Sequence, residues 1–183
     1  MKALEWDALG EIPTERGIMR RTFRTRVEPF VRARSTSWLE GEAPASARMT
    51  IIEPDGAWRE VQGTREALPT QRAAHERAQY GLYGYLLELQ RTDGIGAGPT
   101  EIRHPGLPPI SFLRDANGRP ISATYVVPDH ASDGVIDQRI DFEGEVADQG
   151  ITWPKRITLR LAKGAPGQFN FRNTIDNFTV IRA

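Results

Sequence analysis

The chain has no cysteine in its 183 residues. Disulfides, thiolate metal sites and cysteine nucleophiles are therefore excluded. It has little lysine: Lys occurs only at positions 2, 155 and 163, and arginine supplies the rest of its 24 basic residues. Those are balanced by 24 acidic residues to a formal charge of zero, which speaks against a long basic face for nucleic acid. No apolar run reaches the length of a membrane-spanning helix. The opening residues, MKALEWDALGE, place Glu5 and Asp7 where a signal peptide would be apolar, so they do not read as a leader.

Catalytic signatures are missing too. The three histidines are His75, His104 and His130. None has a second ligand-type residue at metal spacing on the same element, so no metal is expected. Ser35, Ser37 and Ser46 lie in no GxSxG context. The run Gly94–Gly98, GIGAG, lacks the Lys-Ser/Thr and the strand-to-helix step of a phosphate loop, and no cofactor is implied. It belongs to a Gly- and Pro-rich connector from Arg91 to Pro109. Asp141 and Glu143 share the wet parity of one strand, which suits edge protection better than acid–base chemistry.

What the chain does contain is one convincing helix. Thr70–Gln90, TQRAAHERAQYGLYGYLLELQ, follows Pro69, with Thr70 as the expected N-cap. Ala74, Ala78, Gly81, Leu82, Tyr85, Leu86 and Leu89 recur at steps of three and four. Tyr83 and Leu87 make the opposite face apolar as well, so this half should be covered on more than one side. Gly81 and Gly84 each weaken a helix by about 1 kcal/mol against Ala, which points to a neighbour that must come close.

Strand patterns surround the helix. Residues 1–16 read as a short arm, because Gly10 and Pro13 stop a helix early, and Trp6 implies that the arm is docked. Gly17–Leu39 reads as two strands broken at Pro29, rich in Arg20, Arg21, Arg24, Arg26, Arg32 and Arg34. These suit a solvated outer face, with anion binding in a cavity as the alternative. RMTIIEP and AWREVQG form a hairpin in which Asp55-Gly56 supplies positive φ. ISFLRD and RPISATYVV flank a turn at Ala116–Gly118. In the strand after it, Ile136, Ile140 and Phe142 alternate with Asp137, Arg139, Asp141 and Glu143. GITWPKRITLRL follows, and then a last strand in which Phe169, Phe171 and Ile175 oppose Phe178 and Val180 in parity. A bulge near Asp176-Asn177 would bring those five to one face.

The expected fold is mainly β (α+β): a strongly curved antiparallel sheet or incomplete β-barrel, of roughly eight to ten strands, wrapped on the helix at about residues 70–90. It forms a single domain over 17–183, with the arm 1–16 before it.

The hairpin carrying EPDGAWREVQG, the REALP that leads into the helix, and the final GITWPKRITLRL…FNFRNTIDNFTV resemble the bacterial lipoprotein-carrier and lipoprotein-sorting fold, typified by the periplasmic outer-membrane lipoprotein carrier. The resemblance implies an open half-barrel whose concave apolar face, lidded by helix, holds acyl chains without chemistry. It also implies a periplasmic or cell-envelope location if a leader was removed; otherwise the chain would be cytoplasmic.

The leading functional expectation is non-enzymatic binding or transport of an apolar, acyl-like ligand or a lipoprotein. Its candidate lining is Tyr83, Leu86, Leu87, Trp153, Ile157, Leu159, Phe169 and Phe171. The alternative is a small barrel enzyme (a cyclase, isomerase or hydrolase) acting on a hydrophobic substrate. Its candidate groups are Asp129 and His130, with Tyr125 or His104, at the mouth of the cavity. Asp129, His130 and Asp133 also fit a turn satisfied by its own side chains. A third expectation is an interaction module that engages a protein partner at an exposed strand edge.

Overall fold

The structure, a computed structural model, describes residues 2–42, 44–92 and 97–182. Twelve strands form one sheet in which every neighbouring pair is antiparallel. In chain order these are β1 (Ala3–Thr14), β2 (Gly17–Glu28), β3 (Arg32–Leu39), β4 (Arg48–Glu53), β5 (Gly56–Val61), β6 (Thr64–Ala67), β7 (Gly98–Ile102), β8 (Ile110–Arg114), β9 (Pro120–Pro128), β10 (Val135–Asp148), β11 (Ile151–Leu161) and β12 (Phe171–Ile181). The one α-helix among the described residues, α1 (Thr70–Gln90), lies between β6 and β7 in the chain.

The topology is a meander cut open at the helix. The sheet order is β6-β5-β4-β3-β2-β1-β12-β11-β10-β9-β8-β7, so the chain's first and last strands are neighbours at the centre. The edges are β6 and β7, the two strands that flank the helix in sequence. The sheet curves without closing, and α1 packs on its inner face against both wings, on β4 and β5 on one side and β7 and β9 on the other.

Residues 3–14 are corrected from an arm to the central strand. Leu4, Trp6 and Ala8 are buried, and they alternate with Glu5, Asp7 and Glu11. Gly10 is the inward residue where the Phe23 ring crosses β1; a Cβ there would come 2.3 Å from that ring. The outer face carries a ladder of directly opposed charges: Glu5–Arg26 at 3.3 Å, Asp7–Arg24 at 3.0 Å and Glu11–Arg20 at 3.7 Å. Each exposed pair contributes about 0–1 kcal/mol. Arg21 has the inward parity, where it donates to the Ser37 hydroxyl and carbonyl.

Two further strands lie where loop was expected. β6 pairs with β5 through a two-residue turn, Gln62-Gly63, with φ of 49° and 78°. β7 rises from within the Gly/Pro-rich connector, too short and too polar to show periodicity; Gly94–Gly96 of that connector lie outside the described residues. Glu53 pairs with Gly56, so the tip of the β4–β5 hairpin is Pro54-Asp55 and not Asp55-Gly56. Gly56 does not have positive φ. A Cβ there would strike the Trp58 indole at 2.5 Å, and that contact explains the glycine.

The predicted bulge in β12 is present. Asp7 pairs with Asp176 and Glu5 with Thr179, which leaves Asn177 and Phe178 opposite Trp6 alone. Asn177 takes φ of 49°, a conformation asparagine tolerates better than most residues. Ile175 and Val180 are consequently both buried despite opposite parity.

The helix matches its expected bounds, with one correction. Pro69 is the N-cap, with no side-chain cap hydrogen bond, and Thr70 is the first helical residue. Both glycines are contact points. A Cβ on Gly84 would come 2.5–2.7 Å from the Phe30 ring, and one on Gly81 would come 2.8 Å from Leu107 Cδ1. The carboxyl-terminal half of α1 is therefore covered by the sheet on one side and by the β2–β3 hairpin and residues 104–108 on the other. The Tyr85 hydroxyl donates to the Pro108 carbonyl at 2.8 Å.

Candidate functional site

The amino-terminal part of α1 does not pack fully onto the sheet. A cavity of about 500 Å³ lies between them, within the usual range for small-molecule sites of about 300–1,000 Å³. The sheet supplies an apolar wall: Ile12, Phe23, Ile136, Leu159, Leu161 and Phe171. The helix contributes Leu82, Tyr80 and Tyr83. Behind Tyr83, outside the lining, the packing is aromatic, with Trp6 edge-on at 4.8 Å and Trp153 at 6.1 Å, and Phe178 stacked on Trp153 at 5.4 Å. His130, Leu161 and Asn170 are exposed at the rim.

The helix turns over this cavity are its polar ones. Arg72 closes on Glu76, with Nη2 and Nε at 2.7 and 2.8 Å from Oε1. His75 Nδ1 donates to the Pro128 carbonyl at 2.8 Å, and its Nε2 faces the Gln79 amide at 3.5 Å. From the sheet come Thr50 and Gln138. Burial raises the Tyr80 and Tyr83 phenol pKa values well above the ordinary value, and the Glu76 charge adds to the effect. Both remain neutral hydroxyls at any physiological pH.

The structure divides the expected lining into groups. Tyr83, Leu159 and Phe171 line the cavity. Leu86 and Trp153, 1% and 0% exposed, border a smaller cavity of about 280 Å³ at the other end of the helix. Ile157 is in the packed core and Leu87 is buried. Phe169 lies outside the large cavity, with the Arg172 guanidinium 4.1 Å over its ring. The groups of the enzyme alternative do not converge. Asp129 and His130 sit together at the rim, 3.8 Å apart. Tyr125 is buried in the core, its hydroxyl without a partner among the described residues. His104 lies on another flank of α1, stacked on Phe30 at 3.7 Å.

The rim cluster is a self-satisfied turn. Asp129 accepts from the Ala131 amide at 3.0 Å and the Ser132 hydroxyl at 2.7 Å, and these bonds, the amide first, hold its pKa below the ordinary carboxylate value. Asp133 accepts from Gln71 of the helix at 3.1 Å, which ties the turn to α1.

Sequence reasoning missed Arg72, Glu76, Gln79, Gln138 and Asn170, and it weighed His75 only as a metal ligand. The four on the helix are polar residues outside its apolar spacing, which gives them no signal of their own. Gln138 did leave a signal: it is a lone polar residue on the buried parity of β10, between Ile136 and Ile140.

No family model matches the chain, and no characterised protein matches it by sequence. Its architecture does match solved structures over nearly its whole length. A LolA superfamily protein from Nitrosomonas europaea superposes with a TM-score of 0.58 at 10% identity, covering 100% of this chain and 87% of that one. The fold is LolA-like. A putative outer membrane lipoprotein-sorting protein domain from Vibrio parahaemolyticus matches with a TM-score of 0.54 at 6% identity, over 97% of this chain and 84% of that one. A DUF1329 family protein from Desulfovibrio piger matches with a TM-score of 0.51 at 13% identity, over 97% and 85%. What is shared is the fold: a curved antiparallel sheet, open where the helix is inserted.

Proposed function

We propose that the chain binds and carries an apolar, acyl-like ligand or an acylated protein, without chemistry, within the cell envelope. The observation that carries this reading is the cavity of about 500 Å³ between helix and sheet, with an apolar wall and an exposed rim. Each methylene transferred from water to such a wall contributes about 0.8 kcal/mol, so a chain of several carbons is held by burial alone. The LolA-like fold, shared with a domain described as lipoprotein-sorting, supports the same reading. The dispersal of Tyr125, His104 and His130 over separate places favours this reading over the enzyme alternative.

The test is native mass spectrometry of freshly purified protein, followed by solvent extraction and identification of whatever is released. A co-purifying acyl species is the expected result. Leu159→Trp, which adds bulk to the cavity wall, should reduce uptake and leave the melting temperature nearly unchanged. A clean mass together with no uptake of any added acyl compound would sink the proposal. Leu86 and Trp153 are poor positions for this test, because a charge at either would enter packed core and unfold the protein.

A further inference from the structure

We infer that the chain has a second binding site, for a small amphiphile with an anionic head, and that Arg77 supplies the counter-charge. The site is a cleft of about 390 Å³ on another flank of α1, between the helix, the β2–β3 hairpin and residues 104–107. That volume is within the range of small-molecule sites. Val27, Ala33 and Ile52 give the cleft a buried apolar floor, and Phe30 and Leu107 add apolar wall. Tyr80 lines both this cleft and the larger cavity, and among the described residues the two share no other lining side chain. The inference does not rest on the carrier reading.

The charge in the cleft is not balanced. Glu28 and Arg32 line it and neutralise one another at 3.3 Å, which leaves Arg77. Arg77 Nη2 donates to the Glu53 carbonyl at 2.7 Å, but the Glu53 carboxylate is taken by Arg65 at 3.1 Å. Among the described residues, Arg77 pairs with no carboxylate, and its Nε and Nη1 donate to nothing. Neither nitrogen is sealed from solvent, in contrast to Nε and Nη2 of the buried Arg114. A guanidinium tied down at one nitrogen and open at the others is oriented in advance for carboxylate or phosphate oxygens, to which it makes charge-assisted hydrogen bonds. His104, the remaining titratable side chain of the cleft besides Tyr80, carries no negative charge in either form. An ammonium head would be repelled by Arg77, and a neutral head would leave its charge unmet. Two sources supply the fitting chemistry, a fatty-acid carboxylate and a phosphate monoester.

The experiment is a proton–nitrogen NMR titration of the full chain with octanoate, octyl phosphate, octanol and octylammonium. The signals to follow are the Arg77 Nε–H and the Gly81, Gly106 and Leu107 amides, which report the cleft, and the Ile136 and Phe171 amides, which report the larger cavity. One charge-assisted hydrogen bond corresponds to about ten-fold or more in affinity. Both anions should therefore move the cleft signals at about ten-fold lower concentration than octanol, octylammonium should bind weakest, and the tighter anion identifies the source. Arg77→Gln should bring the anions to the level of octanol at the cleft and leave the response of Ile136 and Phe171 unchanged. Arg77→Lys should keep part of the preference, because the charge remains and the fork is lost. Raising sodium chloride from about 20 mM to about 500 mM should weaken octanoate at the cleft and spare octanol, and this arm uses the unmutated chain, so it does not depend on whether a variant folds. Octanol moving the cleft signals as readily as octanoate, or an anion preference that survives Arg77→Gln, would overturn the inference. So would shifts confined to Ile136 and Phe171, which would leave the carrier reading intact.

Discussion

The Phe30 ring lies face to face with the His104 imidazole, centroids 3.7 Å apart and planes 4° from parallel. Phe30 sits at the tip of the β2–β3 hairpin with φ of 61°, a conformation unfavourable for a bulky residue. Its ring also meets Tyr85 edge-on at 5.3 Å and fills the notch at Gly84. One strained residue thus joins the sheet, the helix and the segment before β8. Phe30→Ala should destabilise the fold by about 2–3 kcal/mol, since it removes the ring and keeps the unfavourable φ. Phe30→Gly should lose about 1 kcal/mol less, because glycine adopts positive φ freely. Urea denaturation of the two variants checks the order. Equal losses would show that the backbone strain contributes nothing.

Gly84 and Gly81 should respond differently to alanine. Alanine gains about 1 kcal/mol of helix propensity at either site. At Gly84 the added Cβ meets three ring carbons of Phe30 at 2.5–2.7 Å, and that ring is already held by His104 and Tyr85. Overpacking of this kind costs about 1–3 kcal/mol, so Gly84→Ala should be destabilising. At Gly81 the nearest atom is the free end of Leu107, which can turn away. Gly81→Ala should be neutral or slightly stabilising in thermal unfolding. A stabilised Gly84→Ala would show that the β2–β3 hairpin moves easily off the helix.

The same region explains what the sequence made legible and what it did not. The helix and most of its flanking strands follow from periodicity, and the apolar residues on both sides of Tyr80–Leu87 correctly implied double covering. The cover is protein, through Phe30, His104 and Leu107. The cavity lies instead under the polar turns Arg72–Gln79, where side chains that pair with one another mimic a solvent face. Leu86 and Trp153 instead border the smaller cavity from buried positions, and Ile157 packs in the core. β1 was hidden for a different reason. Gly10 and Pro13 are stop signals for a helix, yet Leu4, Trp6, Ala8 and Ile12 alternate as a strand, and what makes that strand central, its pairing with a segment some 170 residues later, is not a local property.

The bulge in β12 was legible because two parities of aromatic and aliphatic residues had to be reconciled, and Asn177 carries it. Asn177→Gly should be tolerated, while Asn177→Val should destabilise the protein by about 1–3 kcal/mol, since a β-branched residue at φ of 49° is strained. Deletion of Asn177 should do far more harm. It would turn Phe178 and Val180 outward or force the remaining strand to shift against β1. Chemical denaturation of the three variants tests the order, and a deletion variant as stable as Asn177→Gly would contradict the register.

Alkaline titration addresses the cavity and the core together. All four tyrosines, Tyr80, Tyr83, Tyr85 and Tyr125, have phenol pKa values raised above 10.0, each with burial as the leading cause. For Tyr80 and Tyr83 the Glu76 charge adds to burial, and for Tyr125 the neighbouring Tyr85 does. A raised folded-state value means that the fold favours the neutral phenol. This contribution is complete below the unfolded-state value near 10 and is lost as pH rises beyond it toward the folded-state values. Stability should therefore be insensitive to tyrosine ionisation up to about pH 10 and fall steeply above it. Ultraviolet difference spectra of the native protein should show no tyrosinate at the ordinary midpoint. The phenolate signal should instead appear cooperatively, together with loss of the near-ultraviolet dichroism that reports packing. Glu76→Gln should let Tyr80 and Tyr83 ionise at lower pH without altering Tyr125. If Tyr80 or Tyr83 titrated near pH 10 in the folded protein, the cavity that both line would be far wetter than the burial of their rings implies, and apolar-ligand binding would lose its main physical support.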